Sequence, residues 1–386
     1  MKILINLFLA SLCFSMLQAE SSGEETLPAK TSQVELKIGE QTWRFNVSGQ
    51  INMGILALDD GENSSQHGQN ILFVTNDSSP SNIHFNAYNE YTSDLILGAN
   101  VEYECQANSS LFVSQDDPSY YDPHLSEKIL EFYFNSTKYG KISFGRGPSS
   151  CYGASEMDYS GTELVSTSGS YHTSGGLKFR DENNSKEFSD TRINSAFYNF
   201  NCGYNYIRLR YDAPLFYGYE ASASFIEGSR WDLGLHKDFD PVLGVKSKAS
   251  LAHAHSRSIT STPFHQFTGS IAFLHEETGL NLSLSGGTRN INDAPNTPHY
   301  YYTKLGLLQK HFQCGSTAIS IDHYHGKEFN SKKSHSRANT LGIVQKVDNM
   351  NADFYFNTSL HKFNDQTDVK YNNILSAIIG ARIYFP

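Results

Sequence analysis

WRFNVSGQINMGILA, residues 43–57, places Trp43, Phe45, Val47, Ile51, Met53, Ile55 and Ala57 on one parity and Arg44, Asn46, Ser48, Gln50 and Asn52 on the other. Successive strand side chains point to opposite faces, so this stretch reads as a strand with one apolar wall and one wet wall. A membrane-crossing strand needs roughly 9 to 11 residues, whereas strands of soluble domains more often stop near 5 or 6. The pattern here is long enough to cross. The far end of the chain repeats it, with Leu375, Ala377, Ile379, Ala381, Ile383 and Phe385 on one face and Ser376, Gly380, Arg382 and Tyr384 among those opposite. If the first and last strands pair, the sheet closes and leaves no bare edge, the condition for a sheet to cross hydrocarbon.

Working outward, Lys2, an apolar run over residues 3–17 and the small Ala19 read as a secretory signal over residues 1–19, with the mature chain starting near Glu20. Lipidation at Cys13 fits less well, because bulky Leu12 precedes it. Residues 20–42 are polar and contain Pro28, which predicts a periplasmic extension or an extra strand. Beyond the signal no apolar run reaches the roughly 18 residues of a spanning helix, so any membrane crossing is by strands. Charged residues at 18% and a mean hydropathy of -0.44 look soluble, but a barrel gives that average too, since only alternate residues face lipid. The net charge of -10 argues against a nucleic-acid partner. Cys105, Cys151, Cys202 and Cys314 form no C-x-x-C pair, so a zinc site is a poor reading, and no metal or cofactor is expected. Cys151 and Cys202 flank one long loop; a bridge between them and two free thiols both remain open.

Alternating segments at 43–57, 82–91, 95–106, 127–136, 141–145, 204–211, 217–227, 231–237, 243–255, 265–275, 280–289, 300–309, 312–324, 338–347, 352–362 and 372–385 predict an all-β chain of about sixteen strands, the antiparallel transmembrane barrel over residues 43–386. Short links rich in Asp, Gly, Asn and Pro, including a turn at 238–241, alternate with mostly long ones. The longest spans 147–203. Only the link around Gly228 departs from the alternation. Short periplasmic turns and long external loops fit this segregation better than a soluble sandwich does. Aromatic residues near strand ends, such as Tyr300, Tyr301, Tyr302, Tyr384 and Phe385, suit interfacial girdles.

Three stretches resemble the general porins of Gram-negative outer membranes. SGQINMGILALDDG (48–61) looks like their first strand and loop. KISFGRG with ASEMDYSGT (141–162) is similar to the strand that enters their inward-folded third loop, and RLRYDAPLFYGYEASAS (208–224) resembles the following hairpin. The resemblance implies a sixteen-stranded, usually trimeric, water-filled channel for ions and small hydrophilic solutes, lodged among outer-membrane lipid and lipopolysaccharide and narrowed by the third loop. The chain departs from the family in placing Pro386 after the terminal aromatic Phe385, which bears on assembly. It also carries Asn82 and His84 where inward arginines are usual.

Parity assigns the lumen wall independently. Arg208 and Arg210 alternate with Ile207, Leu209 and Tyr211, so both point inward; Lys246, Lys248, Arg44 and Arg382 join them, and His84 is an inward polar residue. The long loop supplies Glu156, Asp158 and Glu163. Folded inward, as the resemblance implies, it would set these carboxylates against the guanidinium groups across a narrow gap and so orient dipolar solutes and set ion preference. His253 and His255 share a face, as do His323 and His325 beside Asp322; a metal is a weaker reading there than plain polar rim residues. No nucleophile-elbow signature stands out. The leading expectation is therefore a passive channel and not an enzyme. A barrel-type lipase or protease and a surface adhesin or receptor are the rivals.

Overall fold

The computed structural model describes residues 33–61, 70–119, 125–183, 187–203, 205–257, 263–365 and 369–385. The signal at 1–19, the first part of the 20–42 extension and Pro386 lie outside the described residues. In chain order the strands are β1 (Gln33–Ile38), β2 (Gln41–Asp59), β3 (Ile71–Thr75), β4 (Asn82–Glu90), β5 (Leu95–Glu104), β6 (Ser126–Ser136), β7 (Gly140–Gly147), β8 (Lys178–Arg180), β9 (Phe188–Arg192) and β10 (Tyr206–Asp212). There follow β11 (Tyr219–Ile226), β12 (Arg230–Val242), β13 (Val245–Ser256), β14 (Phe264–His275), β15 (Leu280–Ile291), β16 (His299–Phe312), β17 (Gly315–Lys327), β18 (His335–Val347), β19 (Ala352–Asn364) and β20 (Ile374–Phe385).

Sixteen of these form a closed antiparallel barrel: β2, β4 to β7 and β10 to β20. The last stave meets the first from Gly49 opposite Phe385 to Asp59 opposite Leu375, so no edge stays open. Tight turns lie at the end that holds both strand termini and the long connections lie at the other, except that β11 and β12 are joined by a tight turn at the long-connection end, the departure expected around Gly228.

The second stave is broken. Both β3 and β4 pair with β2, β3 along Met53 to Ala57 and β4 along Trp43 to Gln50, and residues 76–81 leave the wall between them. The β2 strand also runs past the end of β20. There β1 pairs with it, Val34 opposite Phe45 and Leu36 opposite Trp43, because Val34, Leu36 and Ile38 alternate with polar neighbours and extend the apolar face. The turn expected at 238–241 is a correction: β12 continues to Val242, with an irregularity after Phe239, and the chain reverses at Leu243 and Gly244, both at positive φ. A two-residue reversal of that kind matches strand twist, whereas Pro241 is absorbed at the bulge.

Outward faces are apolar along most of each stave. Leu305, Ile321 and Leu341 stand side by side on β16, β17 and β18 and remain exposed on the isolated chain, as do Ile51, Met53, Phe132, Phe144, Leu209 and Leu251. A continuous apolar belt of this extent is unstable in water and is covered by hydrocarbon. Among the described residues no helix is long and apolar enough to cross a membrane; the strands are the crossing elements.

The interior is only partly aqueous. Leu164, Val165, Leu177, Phe179, Ile193, Phe197 and Phe200 of the long loop pack against Leu56, Leu72, Val74, Tyr300, Tyr302, Tyr324, Tyr355, Ile374 and Ile378 of the wall. A uniformly hydrated lumen, as strand parity implies, is thereby corrected: near the long-loop end both faces of several staves are apolar, because the loop supplies an inner core.

Candidate functional site

The loop after β7 is tied down stave by stave. At its foot the Ser150 backbone N–H donates to Ser224 Oγ (2.8 Å) and Asp232 Oδ1 (3.1 Å). Gly234 makes the close approach feasible, since a Cβ there would lie 2.2 Å from the Ser150 carbonyl oxygen. A disulfide between Cys151 and Cys202 joins the two ends of the loop, which resolves the open question of their pairing. Farther along, Met157 N–H donates to Ser270 Oγ (2.9 Å), and Ser283 Oγ donates to Asp158 Oδ1 (2.9 Å). Lys304 Nζ donates to Asp158, to Ser160 Oγ (3.1 Å) and to the Ser166 carbonyl (2.5 Å). Thr162 meets Ser320 at 2.7 Å, Ser166 Oγ donates to Asp322 (2.5 Å), and Asn357 donates to the Val165 carbonyl. The loop thus follows the inner wall from β11 round to β19 and leaves the space beside β4 to β7 open.

Two chambers share that space and meet at Tyr152. The one at the tight-turn end, about 770 Å³, is lined by Lys141, Arg210, Asp212, Glu220 and His236 among others. The other, about 460 Å³, is bounded by Asp77, Glu102, Glu104, Lys128, Glu156 and His172. A side recess of about 150 Å³ adds Asp158, Glu163 and Lys304. Residues 77–80 are part of this lining, held in place where Asn76 Nδ2 donates to the Leu164 carbonyl (2.8 Å) and Gln106 Nε2 donates to Asp77 Oδ1 (2.8 Å).

His172 sits between two carboxylates, with Nδ1 3.3 Å from Asp77 and Nε2 4.0 Å from Glu156. Burial alone would lower its pKa; the hydrogen bond and charge of Asp77, with the charge of Glu156, outweigh that and hold it above the usual imidazole value. Asp158 is the mirror case. Burial pushes its carboxyl up, but the Lys304 ammonium and the Ser160 hydroxyl and amide hold it below the ordinary range.

Each residue singled out from sequence has a definite place. Glu156 lines both the larger acidic chamber and the recess and accepts from Asn199 Nδ2 (2.8 Å); Glu163 lines the recess. Asp158 is bound to Lys304 and does not face Arg208 or Arg210. Arg208 is buried in the wall against Glu131 (2.5 Å) and the carbonyls of Pro148 and Gly145. Arg210 forks onto Asp212 (2.7 and 2.9 Å) and reaches the Ser149 carbonyl. The expected field between these arginines and the loop acids is therefore corrected: each arginine has an acid on its own wall, which cancels its charge at closer range. Lys248 lies over the Tyr159 ring (4.4 Å), while Lys246 pairs with Glu276 at the tight-turn rim (2.6 Å). Arg382 is held by Asp353 (3.0 Å) and steadies Ser79 of the inward segment (3.0 Å). Arg44 lies in the part of β2 beyond β20, between Glu35 and Glu90. His84 stands between Ser48 and Glu102 in register.

Sequence reading passed over Lys304, although it shares the inward parity of Tyr300 and Tyr302. It also passed over Asp77 and His172, which lie on irregular segments where parity gives no signal. Among the described residues the only grouping with metal-ligand spacing is Cys151, Cys202 and Asp232, and the disulfide consumes both sulfurs. The pairing of Asp322 with His323 and His325 is also removed: Asp322 is inward and buried, and the histidines are on the opposite parity.

A closed sixteen-stranded barrel narrowed by an inward loop is the fold of Gram-negative outer-membrane porins. The anion-selective porin of Comamonas acidovorans superposes with a TM-score of 0.59 at 12% identity, over 89% of this chain and 100% of that one. OmpT, an outer-membrane protein of Vibrio cholerae, in its trimer form gives 0.56 at 12% identity over 89% and 99%. The outer-membrane channel DcaP of Acinetobacter baumannii gives 0.55 at 8% identity over 89% and 97%. No protein-family profile matches the sequence, and no curated protein is significantly similar to it.

Proposed function

We propose that this protein is an outer-membrane porin of a Gram-negative bacterium, a passive channel for ions and small hydrophilic solutes that prefers cations and carries out no chemical step. The observation that carries the reading is the charge along the water path. Asp77, Glu102, Glu104, Glu156, Asp158 and Glu163 line the acidic chamber and its recess, against Lys128, Lys304 and His172. Lys128 is bound to Glu104 at 2.5 Å and Lys304 to Asp158, so both lysines are offset locally and the remaining field is negative. Fixed charge beside a narrow aqueous passage concentrates the opposite ion.

Homotrimeric assembly belongs to the same reading, supported by the trimer form of the Vibrio cholerae relative in fold. Proteoliposomes containing the full-length protein test the function. They should swell in small neutral sugars at a rate that falls with solute size and should pass potassium faster than chloride. Vesicles that stay tight at high protein load would overturn the proposal.

A further inference from the structure

The foot of the long loop holds an acid that neither the water path nor the disulfide uses. Asp232 of β12 is fully buried, 0% exposed. One of its carboxylate oxygens, Sγ of Cys151 and Sγ of Cys202 all lie within 4.8 Å of one another. Its Oδ1 accepts from the Ser150 amide (3.1 Å), a bond that an asparagine would make equally well. Its Oδ2 is buried with no hydrogen-bond partner, and among the described residues no cation lies within ion-pair distance of it. A buried carboxylate without a partner is costly. Asp232 therefore suits a second state of this site, one that brings it a cation.

The sulfurs have a second neighbour. Gln266 Nε2 of β14 donates to Cys202 Sγ (3.2 Å) and to Cys151 Sγ (3.9 Å), while its Oε1 accepts from Arg289 Nε (2.9 Å) and Nη2 (2.5 Å). Such donors suit thiolates better than a disulfide, because the bond strengthens as negative charge builds on sulfur. Ala154, Ala252, Ala254 and Phe264 pack around the pair. Cys202 also borders the acidic chamber, so water and small reagents reach the site from the aqueous path.

We propose that this site, once reduced, binds a single thiophilic metal ion through Cys151 Sγ, Cys202 Sγ and Asp232, with water from the chamber in the fourth position and Zn²⁺ as the probe. A reductant puts two electrons into the S–S bond and two protons go to the sulfurs, leaving two thiols; Zn²⁺ then displaces those protons. Zinc bonds of roughly 2.0–2.3 Å in a tetrahedron set the ligand atoms roughly 3.5–3.8 Å apart, so the freed sulfurs separate and the carboxylate closes in. Two thiolates and a carboxylate around Zn²⁺ leave one negative charge, which faces the Gln266 amide and the Arg289 guanidinium behind it. The metal takes over the link that the disulfide makes between the two ends of the loop. The loop is thus seated in the oxidised and in the metal-bound state, and loosens when reduced and metal-free. The inference goes beyond the channel reading and does not depend on it.

The test uses the full-length protein folded in detergent, with Cys13→Ser/Cys105→Ser/Cys314→Ser so that Cys151 and Cys202 are the only cysteines. A phosphine opens the bridge, taking an oxygen from water to become the phosphine oxide, and is then removed with air excluded. The reduced protein should bind one Zn²⁺ per chain, and Co²⁺ in its place should show the thiolate-to-cobalt absorption of a tetrahedral site; the oxidised protein should show neither. Asp232→Asn, which keeps the bond from Ser150, should weaken Zn²⁺ binding at least about ten-fold. Protease should cut the loop sooner in the reduced, metal-free protein, and Zn²⁺ should restore the resistance of the oxidised form. A bridge that the phosphine leaves intact in the folded protein, equal metal uptake before and after reduction, undiminished binding in the Asp232→Asn variant, or a loop that Zn²⁺ does not protect would each overturn the proposal. If that variant loses strand content by circular dichroism, the cobalt spectrum of the unsubstituted site decides: no thiolate-to-cobalt band sinks the proposal. None of these readouts involves conductance, so their failure leaves the channel reading standing, and a silent bilayer leaves the metal site standing.

Discussion

Replacing Lys304 with methionine removes the ammonium that meets Asp158, Ser160 and the Ser166 carbonyl. The side chains of Lys304 and Asp158 are 1% and 8% exposed, so the substitution strands a carboxylate where water cannot replace the lost partner. Removing one member of a buried pair costs about 3–5 kcal/mol. The Ser160 and Ser283 hydroxyls still donate to Asp158, which places the cost near the lower end, about 3 kcal/mol and a roughly hundred-fold shift in the seated population. The loop bears this cost before the barrel does, since the strand ladders on either side of Lys304 are untouched. In the native protein the pair's stabilisation is present above the carboxyl's unfolded pKa and is lost as pH falls through its lowered folded value. In the variant burial is opposed only by the Ser160 and Ser283 groups, and the carboxyl takes up its proton at a higher pH. Protonation relieves the stranded charge, so the loosening should be greatest at neutral pH and fade on acidification. Single-channel recording should show larger mean conductance and more current noise at neutral pH, and protease should cut the loop sooner. Asp158→Asn/Lys304→Met, which leaves no buried charge, should regain most of the seating. Native conductance, noise and protease resistance in K304M would refute the reasoning.

Glu156→Gln keeps the contact with Asn199 while removing one charge from the path, and the reversal potential in a salt gradient should move toward anion permeation; no movement would take Glu156 out of the ion route. His172, with its raised pKa, carries its proton at low pH and holds the loop to Asp77 and Glu156; as pH rises through that value the attraction fades and the path becomes more negative. Cation preference should therefore increase with pH around neutrality, and His172→Gln should flatten the dependence of reversal potential on pH. Cys151→Ser/Cys202→Ser opens a bridge of sequence separation 51, worth about 4 kcal/mol by chain entropy; a lower melting temperature and faster proteolysis within the loop, with strand content by circular dichroism unchanged, are the expected readouts.

The barrel was legible because its signal is physical and repeated. Parity in residues 43–57 and 375–385 predicts both the outward apolar face and the pairing that closes the sheet, and Gly49 opposite Phe385 is where that closure begins. The site was less legible. Parity shows that Arg208 and Arg210 leave the apolar face, yet a pair such as Arg208 with Glu131 is separated by 77 residues and depends on register across three staves. Asp77 and His172 belong to segments without a period, and the inner core around Phe197 and Tyr324 forms only when a loop fills space that the strand pattern assigns to water. Turn chemistry misled at 238–241 because Asp and Pro were read as a reversal, while Leu243 and Gly244 supply the required backbone angles.

A closed cylinder whose water path carries excess negative charge sets which ion of a salt carries the current. Reversal potential across a planar bilayer holding the purified protein, under a potassium chloride gradient, measures that directly. Stepwise conductance with a potential of the sign set by potassium is the predicted result; a silent bilayer, or a potential set by chloride, would contradict it.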